Sequence, residues 1–342
     1  MYAPKWLVLG VNNTCNLHCK MCDVGTKTKT TNFAQNLTGT RPLDMPLELF
    51  QKICEQTAKY YPDTRLGYAF TEPLIYRHFD ESLALAKQYN LSTAVTTNGL
   101  KLPEKAQVLC DNNVDDVFIS LDGTKDIHND IRGHRFSFQR AIDGMDALFS
   151  QKNAPNVSIF CVITEWNIGD LKSFADFFAQ FPIKQLGFMH TNFTPQSVAD
   201  THNTIWGDRY FATESNMEVL DIESMDLSHL WQEINTIKKA EYADRVSFSP
   251  DLSSFERLQT FYQKPEQLIG SACSDIFSNM MIKSDGSVIP AHGRCYNVEV
   301  GNLYEQNISE IWNSDEFGLL RSDIQKAGGL LPACSRCCSA LS

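Results

Sequence analysis

The chain has 342 residues, 43% of them hydrophobic and 21% charged, which is ordinary for a globular protein and long enough for one large domain with a small companion. Its formal charge of −11 argues against a nucleic-acid partner, since a phosphate backbone recruits basic surface. No apolar run approaches the roughly 20 residues that span a bilayer, and Met1-Tyr2-Ala3-Pro4-Lys5 lacks the layout of a signal peptide. A cytoplasmic protein without a membrane partner is expected, and in a reducing cytosol its eleven cysteines are thiols or metal ligands rather than disulfides.

From residue 5 to about 190, short apolar runs alternate with helical periodicity. Strands are expected at Trp6–Val11, Leu66–Phe70, Thr93–Thr97, Val114–Leu121, Val157–Ile163 and Gln185–Met189. Helices are expected between them at Pro46–Tyr60, Phe79–Gln88, Pro103–Asn112, Phe136–Ser150 and Ile168–Phe178. Such alternation, with connections long enough for right-handed crossovers, gives parallel strands. The fold class read from it is α/β: a partial (β/α)6 barrel that binds ligands at the carboxyl ends of its strands. Residues 191–225 are polar and aromatic with no clear period. A helix near Ser228–Tyr242 follows, then a weakly patterned stretch to Cys273. The chain ends in a small unit: strands at Met280–Lys283 and Val288–Pro290 around an Asp285-Gly286 turn, a helix at Ile308–Asn313, and Cys334-Ser335-Arg336-Cys337-Cys338. The expected division is 1–195 for the barrel, 196–270 for a bridging segment and 271–342 for the C-terminal unit.

The cysteines form two dense groups. The first is Cys15-Asn16-Leu17-His18-Cys19-Lys20-Met21-Cys22, directly after the first strand. Three thiolates can hold three irons of a cubane iron–sulfur cluster and leave the fourth open. An open position marks a catalytic rather than a structural metal site. The plain alternative, a zinc or thiol loop, would normally bring four ligands. Cys54, Cys110 and Cys161 stand singly in helix or strand patterns, as small buried apolar residues do.

This Cys-x3-Cys-x2-Cys loop at the head of a βα series resembles the radical S-adenosylmethionine (radical SAM) superfamily, with Met21 where that family usually has an aromatic residue. The resemblance implies a [4Fe–4S] cluster on Cys15, Cys19 and Cys22, with SAM chelating the open iron. It further implies reductive cleavage to a 5′-deoxyadenosyl radical and abstraction of hydrogen from a substrate. Phe70-Thr71-Glu72-Pro73 lies where the family often has Gly-Gly-Glu-Pro, which implies Glu72 as a cofactor contact although both glycines are replaced. Thr96-Thr97-Asn98-Gly99 implies Thr97 and Asn98 in the same role; read alone, Asn-Gly is a turn former. Ser120-Leu121-Asp122-Gly123 implies Ser120 and Asp122, which strand alternation sets on one face. Arg132 matches an arginine near the SAM carboxylate, a group its fork suits; the plain reading is a surface ion pair with Asp126 or Asp130. Thr164 and Asn167 follow the fifth strand as further cofactor candidates.

The second group resembles the SPASM and twitch auxiliary-cluster domains, through Gly301-Asn302-Leu303, Ile308-Ser309-Glu310-Ile311-Trp312-Asn313 and the closing Cys-x2-Cys. A full SPASM unit carries seven cysteines for two clusters. Five occur here, implying one auxiliary [4Fe–4S] cluster on Cys273, Cys295, Cys334 and Cys337. The family pattern would set a cysteine where this chain has Ala291. Cys295 is the nearest substitute and His292 the alternative, as Cys338 is the alternative to Cys337. A structural zinc on four thiolates is the plain reading of this group. Cys338, if spare, is a thiol that could return hydrogen to a substrate radical. His190, Asn192, His202, Trp206, Asp208, Arg209 and Tyr210 follow the sixth strand, next to where substrate should lie.

The resemblance covers nearly the whole chain. It implies a low-potential electron donor of flavodoxin or ferredoxin type, with plant-type ferredoxins near about −400 mV setting the scale. Peptide-modifying relatives often carry an added N-terminal recognition domain, and this chain enters its first strand by residue 6. The expected substrate is therefore a small polar molecule such as a sugar or aminocyclitol, oxidised while the auxiliary cluster accepts the electron. Epimerisation, another radical conversion and a peptide substrate are the alternatives. A non-enzymatic iron–sulfur or zinc protein is the remote one.

Overall fold

A computed structural model describes residues 3–41 and 43–340. Its strands are β1 (Trp6–Gly10), β2 (Arg65–Tyr68), β3 (Thr93–Thr97), β4 (Asp116–Ser120), β5 (Asn156–Ile163), β6 (Gln185–His190), β7 (Val246–Ser249), β8 (Asn279–Lys283), β9 (Ser287–Pro290) and β10 (Gly301–Asn302). All join one sheet in the order β10-β9-β8-β1-β2-β3-β4-β5-β6-β7. Neighbours from β1 to β7 pair in parallel, as the strand–helix rhythm requires.

Alternation along each strand divides the sheet into two faces. Leu7, Leu9, Leu66, Val95, Val117 and Ile159 pack with the helices in the main core. Val8, Gly67, Thr96, Ser120, Val162 and Met189, one from each of β1 to β6, line the cavity on the other side. The helix Leu47–Tyr60 shows how the covering layer forms. Its Leu49, Phe50, Ile53 and Cys54 recur at helical spacing and are buried, and they join Leu7 and Leu66 in that core. Cys161 lies on the helix side of β5 and is fully buried there, so it does not face the cavity.

The C-terminal unit adds to the same sheet. β8 runs parallel to β1, in register from Trp6↔Asn279 to Gly10↔Lys283, and β9 returns antiparallel to it. The turn between them is Asp285-Gly286, with Gly286 at φ 80, a conformation glycine adopts without penalty. β1 is thus an interior strand.

Several elements depart from the sequence expectation. The segment 191–225 contains a helix, Gln196–Trp206, of which only Val198, Ala199 and His202 are buried; so thin an apolar stripe leaves no readable period. β7 extends the sheet by a seventh parallel strand, but of its four residues only Phe248 is buried. Lys125–Arg132 is helical despite its polar composition, with His128, Ile131 and Arg132 buried. The helices Phe255–Gln263 and Asp315–Lys326 were likewise not foreseen. The helix expected over 228–242 is Leu227–Ile237, begun by Asp226, whose carboxylate accepts the His229 amide at 2.9 Å. Among the described residues no helix is long and apolar enough to cross a membrane.

Candidate active site

Cys15, Cys19 and Cys22 follow β1 and share one cavity, of about 1550 Å³ including its open mouth, at the carboxyl ends of the parallel strands. The loop is held by the helix Lys125–Arg132. Its His18 and Lys20 amides donate to the carbonyls of Arg132 and Ile131 at 3.4 and 3.0 Å, and Lys20 Nζ pairs with Asp130 at 2.6 Å. Burial raises the Cys15 thiol and pushes Cys19 up to about 12, against the pull of Arg132. Thiols so placed ionise only against a strong positive charge such as iron. The loop brings three thiols to the cavity, where a structural zinc takes four ligands. The donor set fits a multi-iron cluster better than a single ion.

The groups expected to hold SAM form two layers. Thr97, Asn98, Ser120 and Arg132 line the cavity. Glu72 and Asp122, both fully buried, stand behind them and position them. Glu72 Oε1 accepts from Thr97 Oγ1 at 2.7 Å and the Leu74 amide at 3.0 Å, and its Oε2 accepts from the Asn98 amide at 2.7 Å. Asn98 Nδ2 then donates to Asn16 Oδ1 at 2.8 Å and lies 4.0 Å from Cys15 Sγ. Asp122 Oδ2 accepts from Arg132 Nε at 2.5 Å, and Oδ1 from the Val162 amide at 2.9 Å. Arg132 Nη1 reaches 3.7 Å from Cys19 Sγ. The arginine's acid partner is therefore Asp122 in the interior, not Asp126 or Asp130 at the surface. His128 accepts the Asp122 amide at Nδ1 and is held neutral by burial; it supports the turn.

Thr164 also departs from expectation. Its amide donates to Asn167 Oδ1 at 2.9 Å, it is fully buried, and the cavity wall at this point is Val162 instead. Asn167 bridges the carbonyls of Asp122 and Val162. Phe70, in place of a glycine, nevertheless holds φ 76, the conformation a glycine would supply. Its ring lies beside Phe33 and His292.

A second cavity, of about 820 Å³, brings together Cys273, Cys295, Cys334 and Cys337. Burial pushes Cys273 up to about 12 and raises Cys295 and Cys334. Tyr296 Oη lies 3.3 Å from Cys334 Sγ. Cys338 faces the first cavity instead, 3.7 Å from His292 Nε2. Its thiol is lowered well below the ordinary value by the hydrogen bond from Cys337 and then by His292. The two adjacent cysteines line different cavities, while their sulfurs and a ring nitrogen of His292 lie within 4.8 Å of one another. Both cavities share Phe33, Asn192, His292 and Arg294 in their walls.

Of the polar residues expected after the sixth strand, Asn192 reaches the site. His190 is turned to Tyr262 Oη at 2.8 Å, His202 to the Tyr210 carbonyl at 2.6 Å, and Arg209 and Tyr210 to Asp323. Sequence reasoning missed Phe33, Arg294 and the segment around Asn216. Asp23, next to Cys22, accepts from the Asn216 amide at 2.7 Å and Ser215 Oγ at 2.8 Å, while Asn216 Oδ1 accepts the Asp23 amide. No local signal announces a contact across so many residues.

The chain matches the model of the Radical SAM superfamily over residues 10–178 and that of the SPASM iron–sulfur cluster-binding domain over residues 273–338. It is 21% identical, over 97% of its length and 87% of the relative's, to a tungsten-containing aldehyde ferredoxin oxidoreductase cofactor-modifying protein of Pyrococcus furiosus. It is 32% identical, over 42% of its length and 43% of the relative's, to a probable GTP 3′,8-cyclase of Methanocella arvoryzae. Its fold is similar to that of anSMEcpe with bound AdoMet and Cp18Cys peptide, with a TM-score of 0.66, 17% identity and coverage of 98% of this chain and 87% of that one. It is also similar to SuiB of Streptococcus suis bound to precursor peptide SuiA, with a TM-score of 0.63, 16% identity and coverage of 94% and 67%.

Proposed function

Because the chain belongs to the radical SAM superfamily and carries a SPASM-type domain near its C-terminal end, we propose that it takes a hydrogen atom from a C–H bond of a small polar metabolite, such as a sugar or aminocyclitol, and oxidises that carbon. The observation that carries the reading is the trio Cys15, Cys19 and Cys22 on one cavity wall, three thiols where a structural zinc takes four ligands. When bound, [4Fe–4S] clusters and SAM supply one-electron reduction and homolytic C–H cleavage. In this reading the trio holds the first cluster. Glu72 orders Thr97 and Asn98, which with Ser120 present polar atoms to SAM. Arg132, fixed by Asp122, keeps a positive charge beside the cysteine loop for the SAM carboxylate. Trp6, Val8, Phe118 and Val162 give the cavity an apolar wall that keeps water from the reacting centre.

Cys273, Cys295, Cys334 and Cys337 hold the auxiliary cluster. The walls shared by the two cavities support oxidation, because an electron leaving a substrate at that junction has an acceptor next door. A flavodoxin- or ferredoxin-type donor supplies the first electron. Two observations favour second readings: Cys338 on the first cavity's wall favours return of hydrogen, hence epimerisation, and the peptide complexes named above favour a peptide substrate.

Anaerobic reconstitution tests the core of this. The wild type should bind about eight irons, as two four-iron clusters, and form 5′-deoxyadenosine from SAM under reduction. Cys15→Ala, Cys19→Ala and Cys22→Ala should each abolish cleavage, and surviving activity in the triple variant refutes the assignment.

A further inference from the structure

Three arginines line the two cavities, and no aspartate or glutamate does. In a chain of net charge −11 that lining is set apart from the rest of the molecule. Two of the three charges are already committed. Arg132 pairs with Asp122 and, in the reading above, serves the SAM carboxylate. Arg336 donates to the carbonyls of Phe261, Thr260, Lys264, Gln267 and Ser335.

Arg294 is different. Among the described residues no carboxylate forms an ion pair with it and its guanidinium donates no hydrogen bond; its charge falls on His292 and on the Cys338 thiol, which it helps to lower. It rests over the Phe33 ring at 4.2 Å, a contact that positions a cation without neutralising it. Its own amide donates to His292 Nδ1 at 3.1 Å, which fixes the backbone beneath it. Arg294 is half-buried and stands where the two cavities meet. A cation removed from bulk water with its donor fork unspent is a recognition element for a carboxylate or phosphate.

We propose that Arg294 anchors an anionic group, carboxylate or phosphate, of the substrate at the junction of the two cysteine cavities. The proposal rests on the C–H chemistry assigned above and narrows its substrate class. It disfavours an aminocyclitol, whose ammonium groups would meet no carboxylate on either wall.

The test is calorimetric titration of the reconstituted, SAM-loaded protein with inorganic phosphate, with acetate and with glucosamine as the cationic contrast. One of the two anions should bind in the millimolar range. Arg294→Gln should weaken it at least tenfold while keeping the wild-type iron content, and Lys239→Gln, at an exposed position far along the chain, should leave it unchanged. Absence of binding by both anions, equal binding by Arg294→Gln, or tighter binding of glucosamine overturns the proposal. So does loss of the auxiliary irons in Arg294→Gln, which would make the charge a partner of the cluster. Iron content and SAM cleavage of the wild type are scored separately, so failure of the radical reading is distinguishable from absence of an anion site.

Discussion

Glu72 is a carboxylate spent entirely on the protein. Three donors surround it, yet burial outweighs them and pushes its pKa from 4.5 up to about 7. A carboxyl whose pKa is raised on folding contributes stability that is fully present below the unfolded value and is lost as pH rises through the folded one. A shift of this size corresponds to roughly 3 kcal/mol, lost between about pH 4.5 and about pH 7. Glu72→Gln does not titrate. Its amide turns a donor toward the Asn98 amide, so it should be destabilised at every pH. The gap to the wild type, however, should shrink by up to about 3 kcal/mol between pH 5 and pH 7.5. Urea midpoints at the two pH values check this; a gap independent of pH would mean that Glu72 is ionised throughout. The same residue shows what the sequence could not reveal. The Phe-Thr-Glu-Pro segment marks Glu72 as important, but that it acts through Asn98 emerges only once two strand ends are set side by side.

The turns that end the strands carry the next level of control. Gly99 closes β3 at φ 80, and a Cβ there would lie 2.8 Å from the Ala141 Cβ of the helix Ser137–Phe149. Gly99→Ala therefore combines left-handed strain with a backbone-side clash and should cost at least about 1–3 kcal/mol, read as a lowered denaturation midpoint. Because Asn98 precedes it, SAM affinity should fall as well; a variant as stable and as tight as the wild type would show that the turn adjusts freely. Elements of this kind were legible: β3, and the helices after β2 and β3, match their patterns to within a residue or so, since a buried strand followed by a one-sided helix leaves a strong periodic trace. The elements after β6 were not. Gln196–Trp206, β7 and the segment at Asn216 bury few apolar groups each and are held by polar contacts such as Asp23 to Asn216, whose partners lie far apart in sequence. Arg294 escaped for the same reason, standing in a turn with no motif of its own.

At the scale of the whole molecule, the C-terminal unit is at once a carrier of cysteines and part of the barrel's wall. β8 covers one side of β1, and His292, Arg294 and Cys338 wall the cavity of the first cysteine trio. Two interventions separate these roles. Cys273→Ser removes one ligand and leaves β8 on β1, so iron should fall from about eight to about four with the signal of the first cluster retained. Ending the chain at residue 270 removes β8, β9 and β10 together. It leaves the hydrogen-bonding edge of β1 open and uncovers core that Met280 and Ile282, both fully buried, now fill. An exposed central strand of this kind templates pairing between chains. The truncated protein should therefore aggregate, or form no stable first cluster, although it keeps Cys15, Cys19 and Cys22. Size-exclusion chromatography with iron analysis decides the matter: a monomeric truncated chain carrying a full first cluster would show that the barrel closes without its C-terminal strands.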